Sequence, residues 1–377
     1  MEHADKPLKV LQVLPALNSG GVERGTVDFA RFLVNQGIES LVMSSGGRLV
    51  QQLEQEGSTH IPFPIHKKSP LSFLKVPALR RCLLTLNADV IHVRSRMPAW
   101  LIWQALKHWL PAKRPVLIST FHGLYSVSFY SAIMGCGDQV IAISECVRDY
   151  ITGNYPKIDP NKIQVIHRGV DKQQFNPQIQ LNPQWCEQFY QQFPHARNKN
   201  LILMPGRLSS WKGQEEFIDL MVLLKKNGES VYGLLVGEAT PGKESYAAQL
   251  RKTVKQRELS EYIGFAGHRD DMAQLYKLAK VVLNLSQHAE PFGRTVIEAL
   301  AVGTPVVAYN AGGPAESLRA CLPDGLVERG DMDELVNKVS AMIASPPSFS
   351  LSESFTLPYQ ASATLDVYYL ALANRLE

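Results

Sequence analysis

Residues Asn284 to Glu316 read NLSQHAEPFGRTVIEALAVGTPVVAYNAGGPAE. The stretch opens on the end of an apolar strand, Val281 to Leu285, and drops through Ser286, Gln287 and His288 into a loop that carries Glu290. Phe292 and Gly293 launch a helix whose first two turns hold Glu298, and a second strand, Pro305 to Tyr309, runs into the paired glycines Gly312 and Gly313. Polar residues therefore gather at the carboxyl ends of strands, where open α/β sheets bind ligands. Glycines at a helix start let backbone N–H groups approach a phosphate, and the helix dipole favours the same charge. Eight residues separate Glu290 from Glu298. Eight steps of about 100° fall about 80° from eclipse, and Glu290 precedes the helix in any case. The two acids suit different hydroxyls of one extended ligand.

Outward from this stretch, strands alternate with helices along the whole chain. Apolar runs at Lys9–Leu14, Glu39–Met43, Asp89–Val93, Pro115–Phe121, Gln139–Ile143 and Ile163–Ile166 predict a first sheet. Further runs at Leu201–Met204, Tyr232–Gly237, Tyr262–Phe265, Val281–Leu285 and Pro305–Tyr309 predict a second. Helical spacing of apolar residues over Val22–Gln36, Pro183–Phe193, Met332–Ile343 and Ala361–Leu376 fits an α/β class with parallel sheets covered on both faces. A chain of 377 residues accommodates two such domains. Polar and Pro-containing residues from Asn176 to Asn200 mark the break. The expected organisation is an N-terminal domain over 1–176, a linker over 177–199 and a C-terminal domain over 200–360.

Composition is that of a soluble globular protein, with 45% hydrophobic and 20% charged residues. Five cysteines, none spaced Cys-x-x-Cys, read as reduced thiols in a cytoplasmic protein and not as a zinc site. MEHADKPLKV has acids before its first strand and no apolar run of signal length, and no segment approaches a membrane span. The net charge of +4 is uneven: residues 1–180 hold 20 Lys+Arg against 13 Asp+Glu, or +7, which leaves 19 against 22, or −3, for the rest. Between Ile61 and Thr120 ten basic residues face the single acid Asp89, with Trp100, Trp103 and Trp109 among them. Basic residues mixed with Trp and Leu suit an anionic bilayer surface, each cation contributing about 1 kcal/mol near it. A solvated helix face over core tryptophans is the other reading. Nucleic acid is not expected, because no recognised binding module accompanies the charge.

Four further motifs carry chemistry. Gly20 and Gly21 follow the first strand, without the spacing of a dinucleotide fingerprint. Arg94 and Arg96 follow a strand directly and can hold phosphate or carboxylate in bidentate fashion. His122, in Thr120-Phe121-His122-Gly123, stands at a strand end beside a glycine that permits close approach. Gly206-Arg207 just after a strand and Lys212-Gly213 just before a helix put two cations over a helix N-terminus, where they would neutralise a diphosphate without a metal.

Glu-x7-Glu with Phe-Gly between the acids, in order with these motifs, resembles the retaining glycosyltransferases of family 4, whose GT-B fold sets two Rossmann-like doubly wound domains across a cleft. The resemblance implies that Glu290 contacts hydroxyls of the donor sugar and Glu298 the nucleotide ribose. It implies donor contacts from Gly206, Phe292, Gly293, Arg294 and Thr295, and places Gly20 and Gly21 toward the donor diphosphate. His122 would lie next to the donor sugar and reacting carbon. The final helix, 361–377, would pack back on the N-terminal domain. The stretches LPALNSGGVERGTVDFA, HVRSRMPAW, FHGLYS and GRLSSWKGQ look like the bacterial subgroup that glycosylates the lipopolysaccharide inner core, some of them mannosyltransferases. Their acceptor is an anionic lipid-linked sugar, which suits Arg94 and Arg96 as acceptor contacts. The expectation is metal- and cofactor-independent transfer of a hexose from a nucleotide diphosphate sugar, by a cytoplasmic protein peripheral to the inner face of the membrane. A sugar-nucleotide epimerase of the same fold, a glycosidase and a non-catalytic nucleotide-sugar sensor are the alternatives.

Overall fold

The computed structural model describes residues 7–18, 20–107, 109–110 and 113–375. The start of the N-terminal segment, Ser19 of the glycine loop and Leu376 lie outside the described residues. The chain forms two compact units, one holding the residues up to His167 and again from Pro358, the other Arg168 to Leu357.

In the first unit the order is β1 (Lys9–Val13), α1 (Gly21–Asn35), β2 (Glu39–Ser44), α2 (Val50–Gln55), β3 (Thr59–Pro62), α3 (Val76–Leu86), β4 (Val90–Val93), α4 (Arg96–Leu106), β5 (Val116–Phe121), α5 (Phe129–Ala132), β6 (Gln139–Ala142), α6 (Glu145–Asn154) and β7 (Ile163–Val165). The seven strands pair in parallel in the order β3-β2-β1-β4-β5-β6-β7, with Leu11 opposite Leu41 on one side and Ile91 on the other. Every residue of β4 and β5 is buried, as expected of strands covered on both faces. The C-terminal helix, Leu357–Ala373, belongs here. It places Ala361, Leu365, Tyr368 and Ala371 in one core with Val10, Phe29, Val90 and Ile118.

The second unit continues with α7 (Pro183–Gln192), β8 (Asn200–Pro205), α8 (Gln214–Lys226), β9 (Val231–Val236), α9 (Glu244–Gln256), β10 (Ile263–Gly267), α10 (Met272–Leu278), β11 (Val281–Asn284), α11 (Arg294–Val302), β12 (Val306–Tyr309), α12 (Gly312–Cys321), β13 (Leu326–Val327) and α13 (Met332–Ala344). Its strands are parallel in the order β10-β9-β8-β11-β12-β13.

The division differs from the one expected. It falls at His167 and not at 176, because Val170 N–H donates to the Phe355 carbonyl at 2.8 Å and Phe175 packs 6.1 Å from the Tyr276 ring. Nor do residues 177–199 form a separate linker. Trp185 Nε1 donates to Asp271 at 2.7 Å, Phe189 is buried, and Lys277 Nζ donates to the Pro177 carbonyl at 2.7 Å, so the segment is part of the second unit. β3 and β13 escape sequence reading because they are edge strands, four and two residues long, too short to show a period.

Candidate active site

The second sheet fixes where its site must lie. Strand order reverses between β8 and β11, and in open parallel sheets the crevice at the carboxyl ends of such a pair takes the ligand. β8 runs out into the Gly206–Gly213 loop and α8, and β11 into the loop that carries Glu290 and then α11. The two loops touch: Gln287 N–H donates to the Trp211 carbonyl at 2.7 Å. Gly213 makes that approach possible. Its φ is +84°, and a Cβ there would sit 2.0 Å from the Leu285 carbonyl oxygen. Gln214, buried at the start of α8, ties the loop from inside by donating to the Arg207 carbonyl at 3.0 Å.

Glu290 is where the charges meet. Lys212 Nζ lies 2.7 Å from its Oε1, with side-chain exposures of 18% and 10%. Asn284 Nδ2 donates to the same oxygen at 3.0 Å, and the Ser286 hydroxyl donates to it as well. The Lys212 ammonium also lies 4.3 Å from the Trp211 ring centroid. On the other side of the loop Gly313 N–H donates to the Glu290 carbonyl at 2.9 Å. Gly312, at φ +61°, leaves room for that contact, since a Cβ would stand 2.5 Å from the same carbonyl oxygen. A hypothetical Cβ on Gly206 would come within 3.9 Å of Lys212 Cδ, so the lysine stem crosses above Gly206. Arg207 is exposed in the same loop, after β8.

Glu298, on α11, is buried and held separately. Tyr276 OH donates to one carboxylate oxygen at 3.0 Å, and Arg294 donates to the other from Nε at 3.1 Å and a terminal nitrogen at 2.7 Å. Burial, and then the Glu298 charge, hold the Tyr276 phenol well above its usual range, so it stays a donor. Gly293 caps α11 and Thr295 is half-buried in its first turn. The Phe292 ring is buried 6.3 Å from Phe355, so only its backbone can reach a ligand. Sequence reasoning did not assign Asn284, Ser286, Gln214 or Tyr276 to the site. The signal was present in Ser286 and Asn284, polar residues closing an apolar strand.

The first unit presents Gly20 as the N-cap of α1 and Gly21 as its first residue. His122 follows β5, and its backbone N–H donates to Tyr125 OH at 3.2 Å. Arg94 departs from expectation. It is 6% exposed, its Nε is buried without a hydrogen-bond partner among the described residues, and its guanidinium stands 5.7 Å from the Phe29 ring. Burial lowers its pKa and the neighbouring Tyr368 partly offsets this. A residue so enclosed is not a surface contact for an acceptor; it follows a strand buried on both faces and turns into the core. Arg96 is engaged by its own unit, donating to Ser131 Oγ at 3.1 Å with its guanidinium 4.7 Å from the Tyr125 ring and 5.3 Å from the Tyr130 ring. Beside Arg94, His92 Nδ1 lies 2.6 Å from Tyr368 OH and Nε2 2.6 Å from Thr120 Oγ1. Burial first, then Arg94, depress this imidazole well below its usual pKa.

The basic, Trp-bearing window separates into two surfaces. Lys67, Lys68 and Arg81 are exposed along with Leu71, Phe73 and Leu74, the two leucines at 70% and 77%. Trp100 and Trp103 instead line a cavity. Among the described residues no helix is long and apolar enough to cross a membrane. Nor do three His, Cys, Asp or Glu side chains there form a metal-binding group. Asp331-Met332-Asp333, an Asp-x-Asp by sequence, is a helix cap: Asp331 accepts from Glu334 N–H at 2.8 Å.

Comparison with known proteins agrees with this geometry. The family model for "Glycosyl transferases group 1" matches residues 187–355, and that for "Glycosyltransferase Family 4" matches residues 19–174. A glycosyltransferase of Rickettsia africae, known as a crystal structure, is 30% identical with a TM-score of 0.82 over 98% of this chain and 99% of its own. HepE of Anabaena, solved with UDP and glucose, is 23% identical with a TM-score of 0.71 over 98% and 99% of the two chains, a likeness of fold. An uncharacterized glycosyltransferase of Methanocaldococcus jannaschii is 29% identical over 250 residues. That alignment takes in 61% of this chain, and the chain spans 60% of that relative's length.

Proposed function

Because the chain belongs to the group 1 and family 4 glycosyltransferases, we propose that it transfers a hexose, mannose being the candidate, from a nucleotide diphosphate sugar to an anionic lipid-linked acceptor of the lipopolysaccharide-core type, with retention at the anomeric carbon and without a metal. The observation that carries this reading is the cluster at the reversal of strand order between β8 and β11. Glu290 there is gripped by Lys212, Asn284 and Ser286, and α8 and α11 begin just past Lys212 and Glu290.

The chemistry follows from charge. Breaking the bond between the anomeric carbon and the diphosphate oxygen leaves the bonding pair on that oxygen and adds a negative charge to those the departing group already carries. Arg207, Lys212 and the helix N-termini stabilise them in place, which is the role a preorganised electrostatic site plays in a transition state. Glu290 orients the sugar hydroxyls while positive charge develops on the ring. The acceptor hydroxyl attacks from the face the diphosphate leaves, and a departing phosphate oxygen takes its proton, so no enzyme nucleophile is needed. Glu298, fixed by Tyr276 and Arg294, is assigned the ribose. In the first unit, Gly20, Gly21 and His122 keep the roles that the resemblance implies. The exposed Lys67, Lys68, Arg81, Leu71 and Leu74 support peripheral attachment to an anionic membrane.

The test is incubation with UDP-, GDP- and ADP-sugars and a lipid acceptor extract, with and without chelator, for the native chain and Glu290→Ala. Transfer that survives chelation and vanishes in the variant is the expected result. Strict dependence on Mg²⁺ or Mn²⁺ refutes the metal-free account. Release of a free sugar isomer without acceptor moves the assignment to an epimerase, and donor binding without turnover moves it to a sensor.

A further inference from the structure

The first unit contains a cavity of about 860 Å³ that none of the donor chemistry uses. Its walls are mostly apolar, with Trp100, Trp103, Phe129, Ile133 and Ile158 among the lining residues and Gln104, Ser128 and Asn154 as polar members. The aromatic side chains are fixed and not loosely collapsed. Trp100 Nε1 donates to the Tyr130 carbonyl at 3.1 Å, and its ring centroid lies 5.8 Å from Trp103 and 5.2 Å from Phe129. Phe129 is nonetheless 82% exposed. An aromatic ring held at the mouth of a preformed apolar cavity is ready to cover an occupant. No Asp or Glu is among the lining residues, whereas Lys107 and Lys157, both exposed, are. Lys107 Nζ stands 5.7 Å from the Trp103 ring centroid. The volume is within the range of small-molecule sites, about 300–1,000 Å³.

This combination selects its occupant. A peptide would bring backbone N–H and C=O groups into a space whose walls have few partners for them, at the cost of leaving buried polar groups unpaired. A hydrocarbon chain has no such groups to satisfy, and the charged groups among the lining residues, Lys107 and Lys157, are of the sign that suits an anionic end group. We propose that the cavity receives the apolar chain of a lipid phosphate, acyl or isoprenoid, with its phosphate at Lys107 and Lys157. The inference rests on the reading of the protein as a transferase to a lipid-linked acceptor and deepens it, by giving the lipid part of that acceptor a site of its own in the first unit.

The experiment titrates the full chain with farnesyl phosphate, farnesol and inorganic phosphate, following tryptophan emission, since Trp100 and Trp103 line the cavity. Farnesyl phosphate is expected to give a saturable change, farnesol a weaker one and inorganic phosphate none. Ala132→Trp, which fills the cavity, should weaken farnesyl phosphate by about tenfold or more. Lys107→Glu with Lys157→Glu, both on exposed positions, should weaken it by at least about fivefold per lysine while leaving farnesol unchanged. Circular dichroism checks the fold of each variant, and the lysine pair keeps the test decisive if Ala132→Trp does not fold. No saturable response, an equal response to inorganic phosphate, or indifference to both variants overturns the proposal. So does a dimer in sedimentation that Phe129→Ser dissociates, because the cavity face then belongs to a second copy. Thermal shift of the unmodified chain with nucleoside diphosphates is read independently. If lipid binding holds and no nucleotide binds, the transferase reading fails and the lipid site stands.

Discussion

Lys212 and Glu290 offer a quantitative test of the site. Hydrogen bonds to a charged group are worth about 1.5–3 kcal/mol, and exposed ion pairs about 0.2–1 kcal/mol. With side-chain exposures of 18% and 10% the pair is mostly withdrawn from water, and Asn284 and Ser286 satisfy the rest of the carboxylate. Discounting for the residual exposure, a coupling of about 1–2 kcal/mol is expected from a double-mutant cycle over Lys212→Met, Glu290→Gln and the double variant. Urea denaturation measures it. Because the pair is little exposed, most of the coupling should persist in 1 M NaCl, where the Debye length is about 3 Å. Activity should respond more strongly than stability. Removing one donor from a site for developing negative charge costs about 2.7–4 kcal/mol, or about 10²–10³ in kcat. A coupling below about 0.5 kcal/mol, or one erased by salt, would show that the lysine is an ordinary surface cation. A kcat in Lys212→Met within about threefold of native would remove it from the diphosphate's neighbourhood.

Three further outcomes follow from particular contacts. His92 is neutral and buried with a depressed pKa, so below the unfolded value of about 6.5 the unfolded chain binds the proton and the folded chain does not. Stability should therefore fall by up to about 1.4 kcal/mol for each pH unit below that point, and His92→Gln should lose this part of the slope in urea titrations at pH 5.5 and 7.5; an unchanged slope counts against it. Gly213→Ala places a Cβ 2.0 Å from a backbone oxygen at φ +84°, and should cost on the order of 3 kcal/mol in chemical denaturation, well beyond an ordinary surface change. Tyr276→Phe removes one donor from buried Glu298, so a loss of about 1–2 kcal/mol is expected, together with weaker nucleoside diphosphate binding by calorimetry; unaltered binding would separate Glu298 from the ribose.

The sequence alone determined the alternation of strand and helix, the existence of two parallel sheets, and the positions of Glu290, Arg207 and Lys212 at strand ends. Those features depend on backbone period and on glycine and charge placed a few residues apart, which are legible without neighbours. Only the tertiary structure decided what each charge meets. Arg94 and Arg96 look alike in HVRSRMPAW, yet one turns into the core beside Tyr368, more than 270 residues away, and the other lies against Tyr125 and Tyr130. The tryptophans of the basic window look like one face with Leu71 and Leu74, yet Trp100 and Trp103 wall a cavity while the leucines stand in solvent. Segment 177–199 has the composition of a linker but is held by Asp271, Tyr232 and Lys277. Burial and pairing are set by contacts between residues distant in the chain, and neither local period nor composition encodes those distances.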